Sequence, residues 1–197
     1  MKILELLAEN PIIAAVRSNG DLAAALTAPP SVLFLLNANI LTLRGQIESV
    51  HRCGKLVLVH MDLAEGLGKD GAGAAYLSQL GADGVISTRS SVIRFAKSYG
   101  LCAVQRFFMV DSHSVATAAD SIRAVQPDLV ELMPGIIPKV VQHFGAECAV
   151  PVIAGGLIDD KSEVIAALRA GAAAVSTGAE PMAGRACLSF ISMVLRL

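Results

Sequence analysis

Pro151-Val-Ile-Ala-Gly-Gly156 and, after a helical stretch, Ala173-Ala-Val-Ser-Thr-Gly178 decide the fold. Each is a short apolar run ending in small residues. A short apolar run without polar alternation is the pattern of a parallel strand buried on both faces. Small residues at its end permit a tight turn that exposes backbone N–H groups. Two such ends side by side form the phosphate cradle at the C-terminal face of a (β/α)8 barrel. The pair points to a small phosphorylated ligand and leaves open whether the chain does chemistry on it.

Six further apolar runs precede this pair: Ile12–Val16, Val32–Leu36, Leu56–Met61, Gly84–Thr88, Cys102–Phe108 and Leu129–Met133. With Val152–Ala154 and Ala173–Ser176 they make eight strands. Helical spacing lies between them at Ile40–Cys53, Lys69–Leu80, Ser91–Tyr99, Val115–Ala124, Pro138–Phe144 and Lys161–Ala170. Asn39, Asp111-Ser112-His113-Ser114 and Asp159-Asp160 offer N-caps. The fold class is therefore α/β, a compact (β/α)8 TIM-type barrel, with an open doubly wound sheet as the competing arrangement. The whole chain, 1–197, reads as a single barrel domain with its phosphate-binding end at 151–180. It is shorter than the ~250 residues usual for this fold, so its loops are lean. Ala179–Leu197 is expected to supply the closing helix, its start made irregular by Pro181 and Gly184.

Hydrophobic residues are 54% of the chain, Trp is absent, and the formal net charge is -1. Small-residue helices over buried strands fit this composition. A nucleic-acid binder usually carries a basic excess, so any RNA contact requires a local patch or a partner. Cys53, Cys102, Cys148 and Cys187 have no zinc-knuckle spacing. Buried thiols in a reducing cytoplasm are expected. The start of the chain is too short and too acidic an apolar run for a signal peptide, and no apolar run reaches membrane-spanning length. The expected location is the cytoplasm, with no membrane partner.

The C-terminal ends of the strands line the ligand site in this fold. Gly155 and Gly156 supply sharp turns after strand seven, and Ser176, Thr177 and Gly178 supply hydroxyls and small bulk after strand eight. The helical turn near Glu180 is expected to aim N–H groups at a dianion, with the Glu180 side chain facing out. Taken singly, either motif reads more readily as a mere tight turn, and it is the pair that favours a phosphate site. Arg17 ends strand one. His60 and Asp62, two apart, fall on one side of strand three. Glu65, Lys69 and Asp70 follow in the loop. Arg89, Asp111 and Lys139 add further charge. Arg106 and Glu131 interrupt apolar strands that are neighbours, which places them side by side. A buried charge must be paired, so they form a structural ion pair, a ligand-orienting pair, or both. His60 with Asp62 supplies only part of a metal site, and no metal or cofactor is expected. Lys69 reads as an electrostatic attractor of phosphate.

Several ordered blocks then carry a resemblance across nearly the whole chain: Pro11-Ile-Ile-Ala-Ala-Val-Arg17, Val32-Leu-Phe-Leu-Leu36, His60-Met-Asp-Leu-Ala-Glu-Gly-Leu-Gly-Lys-Asp70, Asp83-Gly-Val-Ile-Ser-Thr88, Gln105-Arg-Phe-Phe108, Pro127-Asp-Leu-Val-Glu-Leu-Met-Pro-Gly135, Pro151–Ile158 and Ala174-Val-Ser-Thr177. In these blocks the chain resembles the glycerol-3-phosphate responsive antiterminator family, the glycerol uptake operon antiterminator regulatory proteins. The resemblance implies a bacterial regulator that responds to sn-glycerol 3-phosphate and acts on leader mRNA of glycerol operons to prevent premature termination. It carries His60, Asp62, Glu65, Lys69, Asp70, Arg106, Glu131, Gly155, Gly156, Ser176 and Thr177 over as ligand-site residues. The sequence departs from the family after Thr177, where Gly178-Ala-Glu-Pro-Met-Ala lacks a Trp. A homodimer would double a modest RNA-contact patch. Two other readings stand beside this one: a phosphosugar-type barrel enzyme of aldolase, epimerase or decarboxylase class, and a phosphate-ligand sensor that binds no RNA.

Overall fold

The computed structural model describes residues 2–178. The expected closing helix over Ala179–Leu197, the turn near Glu180 and Cys187 lie outside the described residues. Eight parallel strands close in chain order into a barrel. They are β1 (Ile12–Val16), β2 (Val32–Leu35), β3 (Leu56–His60), β4 (Gly84–Ser87), β5 (Cys102–Phe108), β6 (Leu129–Met133), β7 (Val152–Gly155) and β8 (Ala174–Thr177). Helix α1 (Lys2–Glu9) precedes β1. Helices α2 (Asn19–Thr27), α3 (Leu43–Arg52), α4 (Gly71–Gln79), α5 (Ser90–Ser98), α6 (Ser112–Val125), α7 (Pro138–Glu147) and α8 (Lys161–Arg169) follow β1 to β7 in turn. Closure is made by β8 on β1, with Ile12 opposite Val175 and Ala14 opposite Thr177. The open sheet is thereby excluded.

Alternation of side chains along each strand sorts the core into an inside and an outside. Ile13, Phe34, Leu58, Ile86, Val104, Leu129, Ile153 and Ala174, one from each strand, belong to one buried cluster that fills the barrel. Ile3 and Leu7 of α1 join it, so α1 closes the N-terminal opening. The intervening residues face the helices in two further clusters. Ala14, Leu33, Val59 and Val85 pack with α2 to α5, and Val130, Ala154 and Val175 pack with α6 to α8.

Caps explain the helix starts. The Asp111 carboxylate accepts the Ser114 N–H and the Asp160 carboxylate accepts the Glu163 N–H, each within a reciprocal capping box. Asn39 does not cap the next helix, contrary to expectation. It pairs with Glu65 as an isolated parallel bridge and its Oδ1 accepts the Leu41 N–H, so Ile40–Thr42 stay in turns and α3 begins at Leu43. Helices α1 and α2 have no counterpart among the helices read from spacing. The expectation of buried thiols fails at Cys53, which is exposed, and holds only in part at Cys102 and Cys148. Burial, with Asp128 and Asp83 nearby, pushes the Cys102 thiol up to about 12.

Two glycines give a contrast that tests this packing. A Cβ on Gly84 would sit 2.5 Å from the Cys102 carbonyl oxygen. Gly84→Ala is expected to cost about 2 kcal/mol in urea denaturation. Gly45, within α3, has nothing within 4 Å of such a Cβ. Gly45→Ala is expected to stabilise by roughly 0.5–1 kcal/mol in the same measurement.

Candidate functional site

One step beyond the apolar filling, the inward positions turn polar. Leu58 gives way to His60, Val104 to Arg106, Leu129 to Glu131, Ile153 to Gly155 and Ala174 to Ser176. Parallel pairing sets Arg106 opposite Glu131, as the sequence predicts. The Arg106 Nε donates to Glu131 Oε2 at 2.6 Å, with side chains 7% and 1% exposed. The second carboxylate oxygen, Oε1, accepts the Ser176 hydroxyl at 2.6 Å. This bond passes over β7, where Gly155 has no side chain. A Cβ there would lie 2.5 Å from Glu131 Oε1 and 2.6 Å from Ser176 Oγ. Gly155 thus serves the crossing from β6 to β8 as well as the turn. Gly156 follows at φ 76° and Leu157 at φ 59°, a left-handed pair that glycine tolerates and leucine adopts at a cost.

Above this bridge lies a cavity of about 210 Å³. The structure brings Arg17, Arg106, Glu131, Gly156, Ser176, Thr177 and Gly178 to its wall. Arg17 is held at the rim, since its backbone N–H donates to the Asp21 carboxylate of the α2 cap. The Thr177 hydroxyl donates to the Ile158 carbonyl at 3.0 Å. Ala15, Leu36, Met133 and Asp159 also line the cavity and escaped the sequence reading. Strand alternation could have found Ala15, Leu36 and Met133. Asp159 and Asp160 are both cap candidates by sequence, and only Asp160 caps α8; the second carboxylate is the signal.

His60 is 3% exposed, and its Nδ1 has no hydrogen-bond partner among the described residues. Burial first, and the Arg106 charge second, push the imidazole down to about 4, so it is neutral at pH 7. Asp62 leaves the strand in the 3₁₀ turn Met61–Leu63, which ends the two-residue alternation. It turns to β4, accepting the Ser87 hydroxyl at 2.7 Å, the Thr88 N–H at 2.7 Å and the Thr88 hydroxyl at 2.9 Å. Burial pushes its carboxyl up, but these three donors outweigh that and hold it below its ordinary value. The Arg89 Nε stands 3.8 Å from it.

The rest of the β3–α4 loop is occupied with its own shape. The Lys69 amine donates to the Ala64 and Leu67 carbonyls. Asp70 caps α4 by accepting the Gly73 N–H. Glu65 accepts the Asn39 side-chain amide at 2.8 Å. None of the three lines the cavity. Among the described residues no group of three or more His, Cys, Asp or Glu could hold a metal ion, and no helix is long and apolar enough to cross a membrane.

The geometry can be set beside known proteins. The family model described as glycerol-3-phosphate responsive antiterminator matches residues 12–182. An Escherichia coli (strain K12) protein named uncharacterized protein YgcP is 34% identical, covering 90% of this chain and 93% of its own. The crystal structure of the glycerol uptake operon antiterminator regulatory protein from Listeria monocytogenes (strain 4b F2365) superposes with a TM-score of 0.82 at 36% identity, covering 86% of this chain and 92% of that one. A glycerol uptake operon antiterminator-related protein from Thermotoga maritima MSB8 gives 0.76 at 32%, covering 86% and 95%. Barrel enzymes, aldolases among them, match at 12–18% identity and share the fold alone.

Glu131→Ala strands Arg106 without its counter-charge and is expected to cost about 3–5 kcal/mol in chemical denaturation. The neutral His60 sets a pH dependence. The unfolded chain takes up a proton near pH 6.5 and the folded chain only near pH 4, so stability is full above pH 6.5 and falls as pH drops to about 4. His60→Gln is expected to flatten the fall in Tm across that window. The carboxylates with lowered values, such as Asp62, act below 3.8 and leave it undisturbed.

Proposed function

The chain belongs to the glycerol-3-phosphate responsive antiterminator family, and on that premise we propose that it binds sn-glycerol 3-phosphate in the mouth cavity and acts on leader mRNA of glycerol uptake and catabolism genes to prevent premature termination. The observation that carries the ligand site is the buried Arg106–Glu131–Ser176 bridge beneath a small cavity edged by Arg17. A volume of about 210 Å³ is below the ~300–1,000 Å³ of drug-sized pockets and suits a three-carbon phosphate.

The ligand has one dianionic end and two hydroxyls. Arg17 and the small-residue turns after β7 and β8 receive the phosphate. Glu131, paired with Arg106, and Asp159 accept from the hydroxyls. His60, Asp62 and Gly155 do not line this cavity and support its floor and rim from behind. Lys69, spent on its own loop, supports the fold of the rim rather than proton transfer, in keeping with a regulator rather than an enzyme. For the ligand to gate RNA binding it must favour one state of the protein over another. A homodimer would present the RNA-contact surface twice.

Calorimetry with sn-glycerol 3-phosphate, free glycerol and inorganic phosphate tests the ligand assignment. Saturable binding is expected for the intact ligand, and far weaker binding for either half. Arg17→Ala is expected to weaken it at least tenfold while the ligand is recovered unchanged. Equal binding of inorganic phosphate, or no binding at all, would sink the assignment.

A further inference from the structure

From Gly84 to Val110 the sequence has Arg89, Arg94, Lys97 and Arg106 and no Asp or Glu. This run stands in a chain whose net charge is -1. Arg106 is the buried member of the bridge. The other three are exposed and follow α5 from the mouth down the flank of the barrel. Helix α5 buries Val92, Ile93 and Ala96, which leaves Arg94 and Phe95 on its outer side. Helix α4 beside it has no charged residue. On the other side Asp120 of α6 is paired with Arg123, and Asp83, below, is engaged by His51 and the Val57 N–H. Of the three cations, Arg89 faces Asp62 and Lys97 donates to the Gln126 carbonyl beside Asp83 and Asp128, while Arg94 stands on the outer side with no acid on its own helix.

The same helix shows two aromatic rings. Phe95 is 37% exposed and Tyr99 45%. The six other large hydrophobic residues exposed among the described residues, such as Phe108 and Val110, lie at the C-terminal ends of strands or in the loops after them. Phe95 and Tyr99 stand apart from that rim. Four residues apart, their Cβ atoms fall roughly 5–6 Å from each other, and Phe95 lies against Gly71 of α4. Aromatic rings beside cations form the surface that single-stranded RNA uses, with bases stacking on the rings and phosphates meeting the charges.

We propose that the outer face of α5, from Arg89 to Tyr99, is the RNA-contact surface of this protein. The inference rests on the leader-mRNA reading above and assigns it a place. Phe95 and Tyr99 stack bases; Arg94, Lys97 and Arg89 meet phosphates. The start of the face is tied to the end of β3. Arg89 is the N-cap residue of α5 and stands 3.8 Å from Asp62, which holds Thr88 and lies two residues from His60.

The test is fluorescence anisotropy with a labelled leader transcript of glycerol uptake genes and saturating sn-glycerol 3-phosphate, across a salt series. Phe95→Ala and Tyr99→Ala are each expected to weaken RNA binding by about tenfold. Arg94→Gln with Lys97→Gln is expected to lower the slope of log affinity against log salt by about 1.4, the value for two phosphates on a single strand. Arg169→Gln on α8 is the control and leaves both unchanged. Calorimetric binding of the small ligand confirms that each variant is folded. If the wild type binds RNA and the α5 variants bind equally well, this inference fails and the leader-mRNA reading stands. If the wild type binds no RNA, that reading fails and takes the inference with it. If the variants keep RNA affinity but change the sedimentation coefficient, the face is a contact between copies of this chain, and the proposal is overturned.

Discussion

Glu131 is a carboxylate buried in a barrel wall, and much of the mouth follows from the need to satisfy it. A buried ion must be paired and hydrogen-bonded or it does not stay ionised. Its two oxygens divide the task between Arg106 on one neighbouring strand and Ser176 two strands away on the other side. That division fixes the register of β5 against β6 and obliges β7 to carry a glycine at 155. It also fixes where Arg106 stands, and so helps to keep His60 neutral. One side chain thereby sets the charge state, the shape and the alignment of four strands at the site.

The sequence revealed the fold almost completely, because buried parallel strands are short, apolar and separated by helix-forming spacers. All eight strand positions are read within about a residue. The helix starts were less legible. Residues 40–42 have helical spacing but are drawn into turns by Asn39 and its pairing with Glu65, a tertiary contact that no local pattern announces. The same limit applies to the site. Arg106 and Glu131 were conspicuous as charges inside apolar strands, and adjacency of the strands made them partners. Asp70 and Lys69 were equally conspicuous as charges in a loop, yet the structure uses them as a helix cap and a loop anchor. Charge reveals that a residue has a partner; only the fold reveals whether the partner is a ligand or the chain itself.

The mouth of this barrel is a bonded framework. The groups at its mouth are fixed by bonds to one another and to the backbone: an arginine to a glutamate, a lysine to carbonyls, an aspartate to the start of a helix. The Asp62 carboxylate ties the ends of β3 and β4 together, and β4 leads directly into α5. The end of β3 and the start of the outer helix are thus mechanically adjacent.

The pairing of β8 with β1 has a consequence for how the molecule is made. A ribosome delivers β1 first and β8 last, some 160 residues of chain apart. Until β8 arrives, the edge of β1 has open N–H and C=O groups, the kind of template that recruits strands from other chains. Closure cannot be completed piecemeal during synthesis. The nascent chain must carry an unfinished sheet until β8 emerges, and only then can the mouth cavity, whose wall draws on the ends of both β1 and β8, come into being.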